Sequence, residues 1–276
     1  MTTPANLSPR AFAGAARAYA RYRPPYPRTL LDDLLTKAAV SPGARLLDLA
    51  CGPGRLALDL ADRFAEVWAI DLEPEMIEVG QALAAERSVG NVRWRVGPAE
   101  ELAVPAASFD LITIGEAFHR LDQRVVATKA LGWLRPGGRL ATLGVEGILS
   151  GREPWQALAV DVALRWMAKA FPEGWGEARP GSARTIGEVE CLLGGTGFTE
   201  VESRSFAEPR EWSLDSILGY LESTSVCSRH ALGEHFGAFE AELRSALAEH
   251  NPTLRFREDL QAGYTLARKP TGQTSG

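Results

Sequence analysis

The chain has little cysteine, no excess of positive charge and no long apolar run. Its three cysteines, Cys51, Cys191 and Cys227, are far apart and lack metal-type spacing, which favours free thiols in a reducing cytoplasm and predicts no metal site. The formal net charge of −5 removes the general electrostatic case for a nucleic-acid partner. No apolar stretch reaches the about 20 residues that a membrane span needs, and residues 1–9 lack the apolar core of a secretory signal. We therefore expect a cytoplasmic protein without a membrane span.

What the chain does contain is a glycine turn between two strand patterns. The apolar run 44–50 is bounded by turn residues on both sides, as in a strand that is buried on both faces. After the turn at 52–54, apolar residues recur at helical spacing, and a second apolar run ends at Asp71. The segment therefore predicts a β-α-β unit in which Asp48 precedes the turn and Asp71 closes the second strand.

Two cofactor classes fit this turn. Gly52-x-Gly54-x-x-Ala57 satisfies the dinucleotide fingerprint, in which a helix start binds a pyrophosphate. A carboxylate just before the turn, at Asp48, would repel that anion, and it suits a ligand with an ammonium or sulfonium centre. Asp71 fits either cofactor, because both offer ribose hydroxyls to a carboxylate. A nicotinamide-dependent oxidoreductase therefore stays open on this segment alone.

Further segments follow in a fixed order. A third strand pattern, at 92–96, leads into the turn 97–100, and a fourth lies at 109–115. A glycine turn at 134–140 then leads into a fifth strand. Together these segments resemble the class I S-adenosylmethionine-dependent methyltransferases, above all the small-molecule branch that includes the ubiquinone/menaquinone and trans-aconitate methyltransferases. The resemblance covers residues 10–145 well. It implies an α/β, Rossmann-like fold with a seven-stranded, mostly parallel sheet and helices on both faces.

The resemblance also implies a division of the chain by role. The predicted segments are an N-terminal helical lid at 1–28 and a cofactor-binding core at 29–149. A helical substrate roof follows the fifth strand at 150–183. The C-terminal part of the core is predicted at 184–270 and a tail at 271–276. The sixth strand is predicted at 198–206, after a helix that Gly194-Gly195 would end. The seventh strand is predicted at 261–268 and is antiparallel by analogy.

Cofactor contacts follow from the resemblance residue by residue. Asp48 would serve the methionine end, Asp71 the ribose hydroxyls and Leu72 the face of the adenine. The other predicted cofactor contacts lie on the turns and on the lid: Ala50, Gly52, Gly54, Ala99, Glu100, Gly115, Tyr19 and Arg23. Two residues depart from the family pattern. Ala50 replaces the first glycine of the turn, and Pro98 replaces an aspartate that commonly precedes the adenine edge.

The chemistry requires few protein groups. Methyl transfer is an in-line displacement in which the cofactor carries the electrophile, while the protein supplies alignment and, for some acceptors, a base. His119, just past the fourth strand, is the predicted base because imidazole accepts a proton near neutral pH. Glu116 is the alternative base, and a histidine that only shapes the pocket is the competing interpretation. Tyr26, His119 and Trp175 are the predicted substrate contacts.

The resemblance thus predicts methyl transfer to a small-molecule acceptor, aromatic or acidic in character, with an oxygen, nitrogen or carbon nucleophile. Two alternatives stay open at this point. One is the nicotinamide-dependent oxidoreductase. The other is a protein of the same fold that uses the cofactor for binding or for non-methyl chemistry. No nucleic acid is expected as a partner, and a homodimer is left open.

Overall fold

The computed structural model describes residues 11–172 and 186–271. They form two compact units, each assembled from separate stretches of the chain. The helical unit consists, among the described residues, of 11–25, 146–172 and 207–261. The sheet unit consists of 26–145, 186–206 and 262–271. The predicted lid, core and roof divide the chain by role and stay predictions.

Seven strands form one sheet. In chain order they are β1 Arg45–Leu49, β2 Glu66–Asp71, β3 Val92–Val96, β4 Phe109–Gly115, β5 Leu134–Val145, β6 Thr199–Ser213 and β7 Arg255–Arg268. Their order across the sheet is β3-β2-β1-β4-β5-β7-β6. The pairs β1–β2, β1–β4, β2–β3 and β4–β5 are parallel, and β7 runs antiparallel to β5. The mostly parallel α/β sheet and the antiparallel seventh strand are therefore confirmed.

Ten helices are described. They are α1 Ala16–Tyr22, α2 Arg28–Ala38, α3 Arg55–Leu60, α4 Pro74–Glu86, α5 Gln123–Trp133, α6 Pro154–Ala170, α7 Ile186–Thr196, α8 Leu214–Glu222, α9 Arg229–Leu232 and α10 Phe236–His250. Local chemistry sets several starts: Pro74 lies in the first turn of α4, and the Asp122 carboxylate accepts a bond from the Val125 N–H at the start of α5. None of the described helices is long and apolar enough to cross a membrane.

Alternating side chains place the core of the sheet unit on both faces of the sheet. Leu46 and Leu47 are neighbours on β1, yet they belong to different apolar layers because successive residues of a strand point to opposite faces. Leu46 packs in a layer with Leu34 of α2. Leu47 packs in a layer with Val126 of α5. Helices therefore cover both faces, as the resemblance implied.

Several element boundaries differ from the prediction, and one of them is the start of β5 at Leu134, inside the predicted glycine turn 134–140. Helix α7 runs through Gly194-Gly195 and ends at Thr196. The next residue, Gly197, has a φ of 110°, which stops the helix. Strand β6 extends to Ser213 rather than ending at residue 206, and β7 begins at Arg255 rather than at 261. These strand additions belong to the helical unit and carry many exposed polar side chains, so hydrophobic alternation does not mark them.

The helical unit has a core of its own. Within it α6 packs against α10, and α1 packs against α8. Trp155 and Trp212 are buried there, and the Trp155 indole N–H donates to the Arg257 carbonyl at 3.0 Å. Trp212 donates to Glu258 at 2.6 Å, so this aromatic core also satisfies its polar atoms.

Candidate active site

The carboxyl ends of β1 and β4 form the switch point of the sheet. The chain continues from β1 to β2 and β3 on one side, whereas β4 and β5 lie on the other. Loops that leave such neighbouring strands in opposite directions open a crevice, where α/β proteins bind their ligands. The glycine turn follows β1, and the segment with Glu116 and His119 follows β4. Sequence-predicted residues of both segments therefore meet at one edge.

The backbone at this edge is strained on both sides. Ala50 has φ of 50° and Glu116 has φ of 54°, a region that non-glycine residues rarely adopt. Gly52 and Gly54 adopt φ of 56° and 78° without that cost. Strain of this kind is typical of functional sites. The substitution of Ala50 for the first family glycine is thus accommodated in the conformation that favours glycine.

Asp48 is buried within β1, next to the glycine turn. Its exposed fraction is 1%. One carboxylate oxygen accepts a bond from the Thr113 hydroxyl at 2.7 Å, and the other accepts from the Ala57 N–H at 3.2 Å. Burial raises the pKa of Asp48 to about 7, against the opposing effect of these two bonds. The side chain therefore ties β1 to β4 and to α3 from below.

Asp71, at the end of β2, reaches the edge. Its two oxygens accept bonds from the Gly52 N–H at 2.7 Å and from the Glu73 N–H at 2.9 Å. Burial raises the pKa of Asp71, and these backbone bonds and the charge of Arg120 oppose that rise. An ionised carboxylate offers about four lone-pair positions, so further donors can bind it. Leu72, the next residue, is 43% exposed.

The predicted adenine edge lies in the short turn Ala99–Glu101. Ala99 is buried, and Glu100 is half-buried. The Glu100 carboxylate accepts a bond from the Asp122 N–H at 2.9 Å, one residue before α5. Glu100 therefore connects this turn to the end of the loop that carries His119.

A cluster at the crevice joins Tyr26, Arg55 and Glu116. Arg55 Nη1 lies 3.3 Å from a Glu116 carboxylate oxygen, and the guanidinium carbon lies 5.0 Å from the centre of the Tyr26 ring. Gly115 makes room for this arrangement, because an added Cβ would lie 2.5 Å from the Tyr26 hydroxyl. Sequence reasoning missed Arg55. Its position directly after Gly54 is the signal that could have found it.

His119 lies in the short turn Phe118–Arg120 and is exposed. Partial desolvation by the surrounding protein lowers the pKa of His119, and the positive charge of Arg120 lowers it further. The negative charge of Glu116 opposes this shift. A lowered pKa favours the neutral imidazole, which is the state that a proton acceptor needs.

Two predicted cofactor contacts belong to the helical unit. The Arg23 guanidinium lies between the rings of Tyr19 and Tyr220, at 4.8 and 4.7 Å from their centres. Its Nε donates to the Ser223 hydroxyl at 2.9 Å. These contacts fasten the end of α1 to α8. Trp175, a predicted substrate contact, lies outside the described residues.

Comparison with known proteins identifies the family. A family model described as a methyltransferase domain matches residues 46–138. An uncharacterized methyltransferase of Mycobacterium tuberculosis is 38% identical over 129 residues, which are 47% of this chain and 49% of that protein. The chain thus spans about half the length of that relative. Nocamycin O-methyltransferase of Saccharothrix syringae is 31% identical over 266 residues, which are 91% of this chain and 93% of that protein. The chain belongs to the class I S-adenosylmethionine-dependent methyltransferases.

The fold of this chain agrees with a solved structure. The YcgJ protein from Bacillus subtilis superposes with a TM-score of 0.58 at 20% identity, over 89% of this chain and 100% of that one. The Rossmann-like fold is therefore confirmed. The matched methyltransferase domain contains Asp48, Asp71, Glu116 and His119. Membership in this family also decides against the nicotinamide-dependent alternative.

Proposed function

We propose that this protein transfers a methyl group from S-adenosylmethionine to an oxygen atom of a small-molecule acceptor. The observation that carries the proposal is the crevice at the ends of β1, β2 and β4, where Asp71 keeps acceptor positions and Leu72 is left exposed. The relative that matches over nearly the whole chain is named for O-methylation, which supports an oxygen acceptor.

The residues at the crevice fit the cofactor. A ribose offers two hydroxyl donors, and the Asp71 carboxylate has lone pairs beside those that bind backbone N–H groups. Adenine has flat apolar faces, and Leu72 presents a large apolar side chain that is 43% exposed. A sulfonium is positive, and the carboxylates of Asp71 and Glu116 lie along this edge. The crevice therefore has a matching group for the adenine, the ribose and the sulfonium of the cofactor.

Each residue has one proposed task. When bound, the cofactor supplies the electrophilic methyl group. Asp71 accepts bonds from the ribose hydroxyls, and Leu72 and Ala99 line the adenine. Asp48 holds the glycine turn in shape from below. His119 takes the proton of the acceptor on a ring nitrogen, because its lowered pKa keeps the imidazole neutral.

Several finer properties belong to the proposal. An aromatic or acidic acceptor is proposed from the residues of the crevice and the family resemblance. A cytoplasmic location is proposed because the three cysteines are free thiols. A homodimer remains a prediction.

The test is a calorimetric titration with S-adenosylhomocysteine, followed by a transfer assay with labelled cofactor. Asp71→Ala should weaken binding by about 2 kcal/mol, because it removes charge-assisted hydrogen bonds. His119→Gln is the matched control, and it should keep the affinity while it lowers turnover. A wild-type protein that does not bind S-adenosylhomocysteine would contradict the proposal. Binding without transfer to any acceptor of a cell extract would indicate the alternative of non-methyl chemistry.

A further inference from the structure

Arg55 places a positive group at the switch point of the sheet. It is the first residue of α3 and follows Gly54 directly. Its side chain is 13% exposed, and its described polar bond is the one from Nη1 to Glu116 at 3.3 Å. The Tyr26 ring covers one face of the guanidinium, with 5.0 Å between the guanidinium carbon and the ring centre. The edge of the planar group, where the N–H donors point, remains for hydrogen bonds.

One of those donors has no use within the protein. Among the residues that the structure describes, Arg55 Nη2 is buried and has no hydrogen-bond partner. A buried donor on a charged group is costly when it stays unpaired. Two other described arginines, Arg139 and Arg268, have a buried nitrogen without a hydrogen-bond partner, but in both of them it is Nε. Arg55 therefore stands apart within the described chain, because its unpaired atom is one of the terminal nitrogens that bind carboxylates in pairs.

The surroundings define what kind of ligand atom suits Arg55. Asp71 and Glu116 are described carboxylates at this edge of the sheet. They repel an anionic ligand group unless a cation nearby compensates for their charge. The guanidinium supplies such a cation, and its 3.3 Å bond to Glu116 is long for a charge-assisted pair. A ligand carboxylate can therefore compete for the guanidinium and satisfy Nη2 at the same time.

We propose that Arg55 is the carboxylate-binding residue of this site: its terminal guanidinium nitrogens bind a carboxylate of a small ligand at the ends of β1 and β4. The inference rests on the proposed function for the location of the site. Two ligands can provide the carboxylate, namely the amino-acid end of the cofactor and an acidic acceptor. Arg55 thereby selects for this group and fixes which end of the ligand faces Glu116.

The experiment compares charged ligands with neutral analogues on wild-type protein, Arg55→Met and Arg55→Lys. The first arm titrates S-adenosylhomocysteine against 5′-methylthioadenosine, which lacks the amino-acid end. The second arm titrates benzoate against benzamide by NMR, with and without saturating S-adenosylhomocysteine. Arg87→Met is the matched control, because Arg87 forms an exposed ion pair with Asp59 in the same unit. Circular dichroism and the Tm verify that each variant is folded.

We expect Arg55→Met to lose about tenfold in affinity for the carboxylate member of one pair and to keep its affinity for the neutral member. A selective loss for S-adenosylhomocysteine identifies the cofactor carboxylate, and a selective loss for benzoate identifies an acidic acceptor. Arg55→Lys should recover part of the loss, since it keeps the charge without the paired donors. Glu116→Gln should increase the affinity for the same carboxylate, because it removes the competing charge.

For each ligand pair, the affinity for the carboxylate member is divided by the affinity for the neutral member. If this ratio is the same in wild type and Arg55→Met for both pairs, the inference is overturned. The same holds if Arg87→Met reproduces the loss. Failure of the proposed function looks different, because wild-type protein would then bind neither S-adenosylhomocysteine nor 5′-methylthioadenosine. In that case the benzoate and benzamide titrations without cofactor still test Arg55 by themselves.

Discussion

At the scale of single residues, Asp48 is kept in the protein at a cost to stability. It is buried, and burial raises its pKa from 3.8 to about 7. Between these two values the folded protein holds a proton that the unfolded chain has released. Stability from this group therefore falls as the pH rises from about 4 to about 7, and it stays at its lowest above that range.

Asp48→Asn should remove this pH dependence. The amide oxygen can accept from the Ala57 N–H, and the amide NH₂ can donate to the Thr113 hydroxyl, so both bonds of Asp48 survive. We expect the variant to exceed wild type by about 2–4 kcal/mol in unfolding free energy at pH 8 and to equal it near pH 4.

Urea unfolding of both proteins at pH 4, 6 and 8 measures this difference. Asp62→Asn serves as the control because Asp62 is exposed. A gap between Asp48→Asn and wild type that does not change with pH would show that the carboxyl group of Asp48 is not the cause.

The sequence predicts which edge of the sheet most candidate site residues occupy, but it does not predict their contacts. Asp71 and His119 were predictable because each follows the carboxyl end of an apolar strand pattern, and such ends meet at one edge. The bond from Thr113 to Asp48 joins residues 65 positions apart, so only the pairing of β4 with β1 creates it. The same holds for Arg55 and Glu116, which lie 61 positions apart.

At the scale of elements, boundaries were predictable where the hydrophobic pattern of the sequence is regular. β3 and β4 match their sequence patterns at 92–96 and 109–115. The end of α7 at Thr196 was not predictable, because two earlier glycines, Gly194 and Gly195, are tolerated inside the helix. For β6 and β7, tertiary pairing extends the strands beyond the stretch that their own side chains indicate.

The packing of α4 on β3 depends on Gly80. An added Cβ at this position would lie 2.5 Å from Cζ3 of Trp94 and 3.1 Å from the Pro53 carbonyl oxygen. Gly80→Ala should therefore destabilise the protein by about 1–3 kcal/mol through overpacking. The penalty should shrink in a Trp94→Leu background, because the indole that causes the overlap is then absent.

Urea unfolding of the two single variants and the double variant gives the coupling between the residues. Gly132→Ala is the matched control, because Gly132 lies in α5 and no neighbouring atom would come within 4 Å of its added Cβ. That change should stabilise the protein by up to about 1 kcal/mol. If Gly80→Ala lowers the unfolding free energy equally in wild type and in Trp94→Leu, the effect belongs to α4 itself and not to the overlap with the indole.

At the scale of the whole molecule, the cysteines report on each unit separately. Cys51 is buried in the glycine turn of the sheet unit, Cys227 is buried in the helical unit, and Cys191 is exposed. Burial raises the pKa of Cys51 and raises that of Cys227 to about 12. Because the thiolate is the reactive form, the two buried cysteines react only after local opening.

A thiol reagent such as dithionitrobenzoate should therefore modify one cysteine quickly in the native protein and the other two slowly. Cys191→Ser should remove the fast phase. S-adenosylhomocysteine should slow the modification of Cys51 more than that of Cys227, because a ligand at the glycine turn stabilises the sheet unit around it. Mass spectrometry of the labelled peptides follows each site, and two fast phases in wild type would refute the expected burial.

The crevice takes its two walls from distant stretches of the chain, the turn at 50–54 after β1 and the loop at 115–122 after β4. Each stretch can be mutated or exchanged separately, provided that Glu116, which pairs with Arg55 directly after the first stretch, is kept. A lineage with this architecture can thus diversify the chemistry of its second wall while the first stays unchanged. For laboratory evolution, the consequence is a small library confined to the loop after β4.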